Sequence, residues 1–290
     1  MFSEIIDLHS HTRHSDGSST PDELIALAAG AGACAIAITD HDTTSGLEEG
    51  RAAAARHQIE FVNGVEISAD YQPGTMHILG YFIDDRSTQL STALEELRHA
   101  REERNPQIAR RLQAIGLDIR YEEVEALAGN QVVGRPHFAN VMVRKGYAGS
   151  IKEAFDKYLG KGKPGYVEKR RLSPPDSIAL IHSAGGVAVL AHPYQLGLTW
   201  ETLETEIKNL VDMGLDGVEA VYSRHSPSDR IAYSELAARH GLFVTGGSDF
   251  HGAYKPDINI VRGLGDLEVP YDLLAPMKER SARAVQAPKA

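Results

Sequence analysis

Short apolar runs that end in histidine or acidic residues recur along this chain, and they limit its fold more than any other feature. The first run, Ile5-Ile6, leads into Asp-Leu-His-Ser-His at 7–11. Side chains alternate between the two faces of a strand, so His9 and His11 point the same way and can bind one ion together. Later runs carry His41, Glu66, His77, His192, Asp249 and His251. Each lies at or near the C-terminal end of a predicted strand, so we expect these side chains to converge.

Predicted helices separate these strands. Thr20-Pro21-Asp22-Glu23 has the pattern of a helix start, with a capping threonine, an early proline and a glutamate three residues after the cap. A second helix is predicted over 46–57. About seven strands alternate with helices, which favours a parallel α/β architecture. In an open sheet the ligand-binding crevice is lined by the ends of only a few strands. Here six predicted strands end in polar residues, and the strand ends of a closed barrel converge in this way. We predict a distorted seven-stranded (β/α)7 barrel.

Residues 88–170 interrupt this alternation with a long charged helical stretch from Ser91 to about Ile115. Between Arg98 and Arg171 there are 16 Lys and Arg against 9 Asp and Glu, although the whole chain has a net charge of −10. We predict a barrel made of 1–87 and 171–290, with 88–170 as a mostly helical, basic insertion that lies over the barrel mouth as a substrate lid. The local positive charge suggests an anionic ligand. The alternative is a solvated helical face.

Bulk properties limit the partners and the compartment. No apolar run is long enough to span a membrane, and the N-terminus has no secretory pattern. The single cysteine, Cys34, fits a reducing environment, so we expect a cytoplasmic protein without a membrane partner. The negative net charge argues against a nucleic-acid-coating protein or a stable DNA complex. The sequence leaves the oligomeric state open.

Nine side chains form the candidate metal site. Six imidazoles and three carboxylates without a thiolate favour Mn²⁺, Fe²⁺ or Zn²⁺, and the donor types do not choose among them. A catalytic ion usually takes about three protein ligands, so nine donors suit three ions. An isolated histidine in a strand is more often a structural residue, but the ordered set at strand ends favours ligands. The candidates are His9, His11, Asp16, His41, Glu66, His77, His192, Asp249 and His251.

At these residues the chain resembles the PHP (polymerase and histidinol phosphatase) family of metal-dependent phosphoesterases. The motifs that carry the resemblance are Asp7-Leu-His-Ser-His11, Ser15-Asp16-Gly17, Thr39-Asp40-His41-Asp42, Gly64-Val65-Glu66-Ile67-Ser68, Ala191-His192-Pro193 and Gly247-Ser248-Asp249-Phe250-His251. The resemblance implies a distorted seven-stranded barrel and three ions, most simply Mn²⁺. It assigns His9, His11, Glu66 and Asp249 to one ion, Glu66, His77 and His192 to a second, and Asp16, His41 and His251 to a third. Within the family the chain is similar to the group that has an insertion after strand four, which includes 3′,5′-nucleoside bisphosphate phosphatases and RNase AM exonucleases.

The resemblance implies hydrolysis of the 3′-phosphate of nucleoside 3′,5′-bisphosphates, such as adenosine 3′,5′-bisphosphate to AMP. A hydroxide held between metal ions would attack phosphorus, with His192 or Asp40 protonating the leaving oxygen. Asp40 is also a candidate for substrate binding or for orienting a ligand histidine. Arginine binds phosphate through a planar fork of donors, so Arg135, Arg101 and Arg104 are predicted to hold the second phosphate.

Three alternatives remain open at this stage. A 5′→3′ exoribonuclease acting on short RNA or RNA 5′ ends would use the same ions and arginines. A histidinol-phosphate phosphatase would not need a basic insertion. A non-catalytic metal-binding module would share the ligands without turnover. A series of oligonucleotide lengths, a phosphorylated-nucleotide panel and metal analysis distinguish these possibilities.

Overall fold

A computed structural model describes residues 4–129, 133–168 and 170–286 of the chain. The chain divides into two compact units, one made of Met1–Leu94 and Arg171–Ala290 and the other of Glu95–Arg170. In the described residues no helix is both long enough and apolar enough to cross a membrane.

The first unit is a seven-stranded barrel whose strands pair in chain order. The strands are β1 Ile5–Asp7, β2 Ala33–Ile38, β3 Glu60–Ala69, β4 Met76–Tyr81, β5 Val187–Leu190, β6 Gly217–Tyr222 and β7 Phe243–Gly247. Apolar side chains from most of these strands pack into a buried core that includes Ile6, Val62, Leu79 and Val189. This architecture confirms the predicted α/β barrel.

The barrel is nearly closed by a seam between its first and last strands. The Leu8 amide donates to the Gly246 carbonyl at 3.2 Å, and the Asp249 amide donates to the His9 carbonyl at 2.8 Å. A Cβ atom on Gly247 would lie 2.4 Å from the backbone nitrogen of His9. Only glycine permits this close approach, which brings β1 and β7 together. We call the end of the barrel where β1, β5 and β7 finish the barrel mouth.

The expected parallel pairing does not extend to β4, which runs antiparallel to both β3 and β5. The other strand pairs are parallel. The connection from Ala69 to Met76 is too short for the dozen or more residues that a parallel crossover needs, so the chain turns back as a hairpin. His77 therefore lies at the N-terminal end of β4, and not at the C-terminal end as predicted. Because β4 is reversed, that end lies at the mouth with the C-terminal ends of its neighbours.

The helices follow the local signals of the sequence. Thr20 and Glu23 form the predicted reciprocal cap at the start of the first helix, and the helix predicted over 46–57 begins at Leu47. In chain order the α-helices are α1 Pro21–Gly30, α2 Leu47–His57, α3 Thr88–Ala114, α4 Tyr121–Ala128, α5 Arg135–Arg144, α6 Ile151–Ala154, α7 Pro174–Ser183, α8 Trp200–Asp212, α9 Pro227–Arg239 and α10 Leu274–Gln286.

The second unit is mostly helical and has its own apolar core. Ile108 and Leu112 of α3 pack with Phe138 and Met142 of α5, and Leu159 closes the cluster from a π-helical turn. All five side chains are fully buried. The unit therefore has an apolar core of its own.

Candidate metal centre

Glu66 lies at the centre of the histidine and carboxylate residues that the sequence analysis selected. It projects from β3, three residues before the strand ends. Both of its oxygens contact imidazoles. The ring nitrogens within 3.2 Å belong to His9, His11, His41, His77 and His192. Oε2 contacts the first three and Oε1 the last two, so the carboxylate joins two sets of donors in the way that a bridging ligand does.

The remaining donors surround this carboxylate. Asp249 Oδ1 lies 3.3 Å from the Nε2 atom of His11 and 3.4 Å from the Nδ1 atom of His251. Asp16 lies 3.3 Å from His251 and 3.6 Å from His41. The structure thus brings all nine predicted ligand residues together, and we call this set the mouth cluster.

Four subsets of the mouth cluster have donor atoms close enough to share an ion, within 4.8 Å of one another. They are His11, Asp16, His41 and His251; His9, Glu66 and His192; His9, His11 and Asp249; and His41, Glu66 and His77. The grouping of Asp16, His41 and His251 agrees with the expectation from the resemblance. His77 is grouped with His41 and Glu66, although His77 and His192 also contact the same Oε1 atom of Glu66.

The side chains of the mouth cluster differ in their exposure to solvent. The side chains of His9 and His11 are inaccessible to solvent, whereas those of His77 and His41 are 17% and 18% exposed and that of Asp16 is 40% exposed. Asp16, His41 and His77 therefore form the side of the cluster that a ligand from solvent meets first.

The electrostatics keep the carboxylates ionised. Burial alone would raise the pKa of Glu66, but the imidazoles of His41 and His77 hold it well below its usual range. Burial acts in the same direction on Asp16 and Asp249, but His41 and His251 beside Asp16, and His251 and Lys255 beside Asp249, hold both pKa values well below the usual range. Ionised carboxylates are the form that binds a cation.

The histidines divide into two kinds. Burial lowers the pKa of His41 to about 3, which leaves a neutral imidazole that can act as a ligand. Burial also opposes protonation of His11, but Asp249 and Glu66 raise its pKa to about 9. In the absence of a cation, protons on such imidazoles compensate the buried carboxylates. A divalent ion would replace those protons.

Several buried ring nitrogens of the cluster have no hydrogen bond within the described residues. They are both nitrogens of His11 and the Nδ1 atoms of His41, His77 and His192. Their close approaches to carboxylate oxygens do not have the angles of hydrogen bonds. Buried polar atoms normally have partners, and unsatisfied ones call for an explanation such as an ion. The donor set and these nitrogens fit divalent metal ions.

Glu219 contacts two of the predicted metal ligands, His9 and His192. Its Oε1 atom lies 2.8 Å from the Nδ1 atom of His9, and its Oε2 atom accepts a hydrogen bond from the His192 amide at 2.8 Å. A carboxylate bound to the distal nitrogen fixes the tautomer and the orientation of a ligand histidine. Glu219 is completely buried within β6.

Asp40 lies beside the loop that carries Asp16, and its predicted catalytic or substrate-binding role stays a prediction. Its two oxygens accept hydrogen bonds from the Thr12 amide at 2.7 Å, the Thr12 hydroxyl at 2.6 Å and the Ser15 hydroxyl at 2.6 Å. These contacts order the loop that carries Asp16. The structure therefore gives Asp40 a positioning contact with this loop.

Two further residues, Tyr222 and Lys255, contact Asp249. The Tyr222 hydroxyl donates to Asp249 Oδ2 at 2.8 Å, and the ammonium group of Lys255 donates to the same oxygen at 2.7 Å. Burial lowers the pKa of Lys255, but Asp249 more than compensates and raises it. Tyr222 is the last residue of β6, so its position at a strand end was a signal for a place near the mouth. Lys255 follows no periodic pattern, and its signal was its position four residues after His251.

The backbone is strained where two strands deliver ligands. His192, after β5, has a φ of 27°, and Asp249, after β7, has a φ of 57°. Residues other than glycine seldom adopt this region, and such strain concentrates at functional sites. The strained turns place both side chains in the mouth cluster.

The predicted substrate arginines lie in the helical unit. The guanidinium of Arg135 lies over the rings of Phe155 and Tyr166, at 5.8 and 5.4 Å, and donates to the Leu159 carbonyl. Arg104 is buried and donates twice to Asn105 Oδ1. Arg101 is half-buried on α3. The role of these three arginines in substrate binding stays a prediction.

The fold and the mouth cluster define a metal-dependent phosphoesterase class, and comparison with known proteins agrees. The PHP domain model matches residues 7–168, so this chain belongs to the PHP domain family. It is an enzyme of the phosphoesterase type.

Particular relatives are similar along most of their length. The 3′,5′-nucleoside bisphosphate phosphatase of Chromobacterium violaceum is 41% identical over 249 residues, covering 85% of this chain and 87% of the relative. The 5′-3′ exoribonuclease Rnm of Escherichia coli is 35% identical over 252 residues, covering 86% of each chain. A solved structure described as an amidohydrolase from Chromobacterium violaceum, with bound sulfate and no metal, has a TM-score of 0.80 at 36% identity and covers 96% of each chain.

Proposed function

We propose that this enzyme removes the 3′-phosphate of nucleoside 3′,5′-bisphosphates, for example converting adenosine 3′,5′-bisphosphate to AMP. The observation that carries the proposal is the position of Glu66, whose two oxygens join five imidazoles in a buried cluster fit for several cations. The similarity to a bisphosphate phosphatase over most of both chains supports the choice of substrate.

We propose that the nine residues of the mouth cluster hold three divalent ions, with Mn²⁺ as the first choice. Such ions activate water and neutralise charge on phosphoryl oxygens when they are bound. Glu66 bridges donor sets, Glu219 orients His9, and Asp40 holds the loop that presents Asp16. His192 stays our candidate for protonating the leaving oxygen.

The specific test is phosphate release with added Mn²⁺ from three compounds: adenosine 3′,5′-bisphosphate, 5′-AMP and p-nitrophenyl phosphate. We expect kcat/KM to be highest for the bisphosphate. Equal and slow release from all three would reject the substrate and leave the metal site standing. Elemental analysis of protein purified without chelator tests the metal site by itself, and a protein without bound metal would favour a non-catalytic module.

We propose that Arg135, with Arg101 and Arg104, binds the second phosphate. The proposal rests on the positive balance of the segment and on guanidinium chemistry. Arg135→Ala should lower kcat/KM about tenfold for the bisphosphate and much less for p-nitrophenyl phosphate, since one charged hydrogen bond is worth this much. Arg144→Ala, which removes an exposed arginine from the same helix, is the matched control. Equal losses on both substrates would exclude a second-phosphate contact for Arg135.

A second candidate function is 5′→3′ exoribonuclease activity, which the similarity to the Escherichia coli exoribonuclease supports. It would use the same cluster on the 5′ end of a longer substrate. A series of 5′-phosphorylated oligoribonucleotides of two to ten residues distinguishes the two functions. Turnover that rises with length favours the exonuclease, and turnover confined to the mononucleotide favours the phosphatase.

A further inference from the structure

Lys255 is a positively charged residue that contacts the mouth cluster and is also reached by solvent. It follows the short 3₁₀ helix Gly252–Tyr254 after β7. Its ammonium group lies 2.7 Å from Asp249 Oδ2. The other oxygen of this carboxylate, Oδ1, faces the ring nitrogens of His9, His11 and His251 at 3.3–3.6 Å. One carboxylate therefore links Lys255 directly to the metal donors.

Tyr222 contacts the same carboxylate as Lys255, so the two residues can be compared directly. Its hydroxyl donates to the same Oδ2 atom at 2.8 Å, so Asp249 would be held in place by a neutral donor even without the lysine. Tyr222 is 2% exposed, whereas the side chain of Lys255 is 35% exposed. The two residues thus share one contact but differ in charge and in access to solvent.

An ammonium group has three donors. Asp249 takes one of them, and no further hydrogen bond of Lys255 is found within the described residues. Since the side chain is partly exposed beside a cluster that would bind a phosphate ester, the remaining donors are available to an anion that reaches the cluster. A phosphate oxygen is the acceptor that a lysine beside divalent ions suits best.

We propose that Lys255 binds a non-bridging oxygen of the phosphate that is hydrolysed, while its contact with Asp249 keeps the ammonium group beside the metal donors. This inference rests on the proposed phosphatase function and deepens it. It assigns a phosphate contact to the barrel itself, separate from the arginines of the helical unit. The expected ligand is any phosphate monoester or inorganic phosphate, because the ammonium group recognises only the anionic oxygens.

The test measures inhibition by inorganic phosphate in metal-loaded enzyme, with metal content determined for every variant. Lys255→Met removes the charge and the donors at similar length, Lys255→Arg keeps both, and Tyr222→Phe removes only the neutral contact to Asp249. We expect Lys255→Met to raise the phosphate inhibition constant by about tenfold or more at unchanged metal content, on the scale of one charge-assisted hydrogen bond. Lys255→Arg should recover most of this loss, and Tyr222→Phe should change the inhibition constant less than about threefold.

Two outcomes would overturn the proposal. One is an unchanged phosphate inhibition constant in Lys255→Met. The other is a parallel loss of metal and of phosphate affinity in Lys255→Met and Tyr222→Phe, which would mean that Lys255 acts only by holding Asp249.

A measurement on the unaltered enzyme covers the case in which Lys255→Met does not fold. Inorganic phosphate should slow acylation of Lys255 in the metal-loaded protein, followed by mass spectrometry, and should leave exposed lysines such as Lys152 unaffected. Equal acylation of Lys255 with and without phosphate would reject the contact. Failure of the proposed function is seen separately, as a lack of phosphate release from adenosine 3′,5′-bisphosphate by the unaltered enzyme.

Discussion

Two groups of charged residues built around buried carboxylates lie at opposite ends of the barrel, and they differ in how well their buried polar atoms are satisfied. At the foot, Asp216 precedes β6 and accepts hydrogen bonds from His182 at 2.7 Å, Arg280 at 2.8 Å and the Ala188 amide at 2.9 Å. We call these residues the foot cluster. In the mouth cluster, by contrast, buried imidazole nitrogens lack hydrogen bonds within the described residues. The foot carboxylate has hydrogen-bond partners within the fold, whereas the unsatisfied nitrogens of the mouth cluster are donor atoms that a cation could use.

The titration behaviour follows the same division. Burial tends to raise the pKa of Asp216, but the hydrogen bonds from His182 and the Ala188 amide outweigh it and lower the pKa. The contribution of Asp216 to stability is therefore present above the pKa of an unfolded aspartate and is lost as the pH falls through the lower folded value. The mouth carboxylates depend instead on neighbouring imidazoles, whose protons a bound cation would replace. We expect the foot cluster to affect stability and the mouth cluster to affect activity.

The largest effect should come from metal removal. Chelation should abolish phosphate release and lower the thermal midpoint, because cations that bind only the folded site stabilise it. Activity and melting curves before and after addition of Mn²⁺ measure both effects, and chelator already saturated with Mn²⁺ is the control. Full activity in protein shown by elemental analysis to be free of metal would overturn the role assigned to the mouth cluster.

Glu66→Gln should have the next largest effect. It keeps the shape of the side chain but removes the charge that five imidazoles surround, so we expect kcat to fall on the order of a thousandfold. Circular dichroism should show a folded protein at 25 °C. Glu48→Gln changes an exposed glutamate on α2 and should leave activity intact. A loss of less than about threefold in Glu66→Gln would remove the bridging role.

Asp216→Ala tests the foot cluster and should show the reverse pattern. It leaves the buried Ala188 amide without its acceptor, so we expect a loss of about 2 kcal/mol in the free energy of unfolding. The thermal midpoint should fall by roughly 4–8 °C with kcat nearly unchanged. Asp212→Ala removes an exposed carboxylate at the end of α8 and is the matched control. If Asp216→Ala impaired kcat while stability stayed the same, the division between the two ends would be wrong.

Glu219→Gln should have the smallest of these effects and would sharpen the comparison. The amide still accepts one hydrogen bond but no longer fixes the tautomer of His9, so we expect about a tenfold loss of kcat/KM at limiting Mn²⁺. Excess Mn²⁺ should recover part of the loss. Titration of activity against Mn²⁺ measures this shift. An unchanged Mn²⁺ dependence would mean that Glu219 only fills space behind His9.

The sequence predicted the fold class and the convergence of the mouth residues because both depend on local patterns. Apolar runs mark strands, and parallel strands carry the residues that follow them to one end of a barrel. His77 shows the limit of this reasoning. A period of two identifies a strand but not its direction, so only the short connection to β4 could have indicated the hairpin.

The positions of other residues depend on tertiary contacts that leave no local signal. Asp40 follows a strand as the ligands do, yet its oxygens are occupied by Thr12 and Ser15. Lys255 lies in a polar loop and becomes relevant only through Asp249. Arg135 has the residue type that binds phosphate, but its ring contacts within the helical unit could not be read from its neighbours in the chain.

The seam between β1 and β7 has a consequence for biosynthesis. Asp7 is completely buried and accepts hydrogen bonds from the amide and the hydroxyl of Ser248, a residue 241 positions away. Contacts between such distant segments are costly to form and slow folding. In a nascent chain still on the ribosome, β1 cannot form its contacts with β7 until β7 has been translated. The mouth cluster is therefore completed only after β7 and Asp249 have been translated, and products truncated before Asp249 lack it.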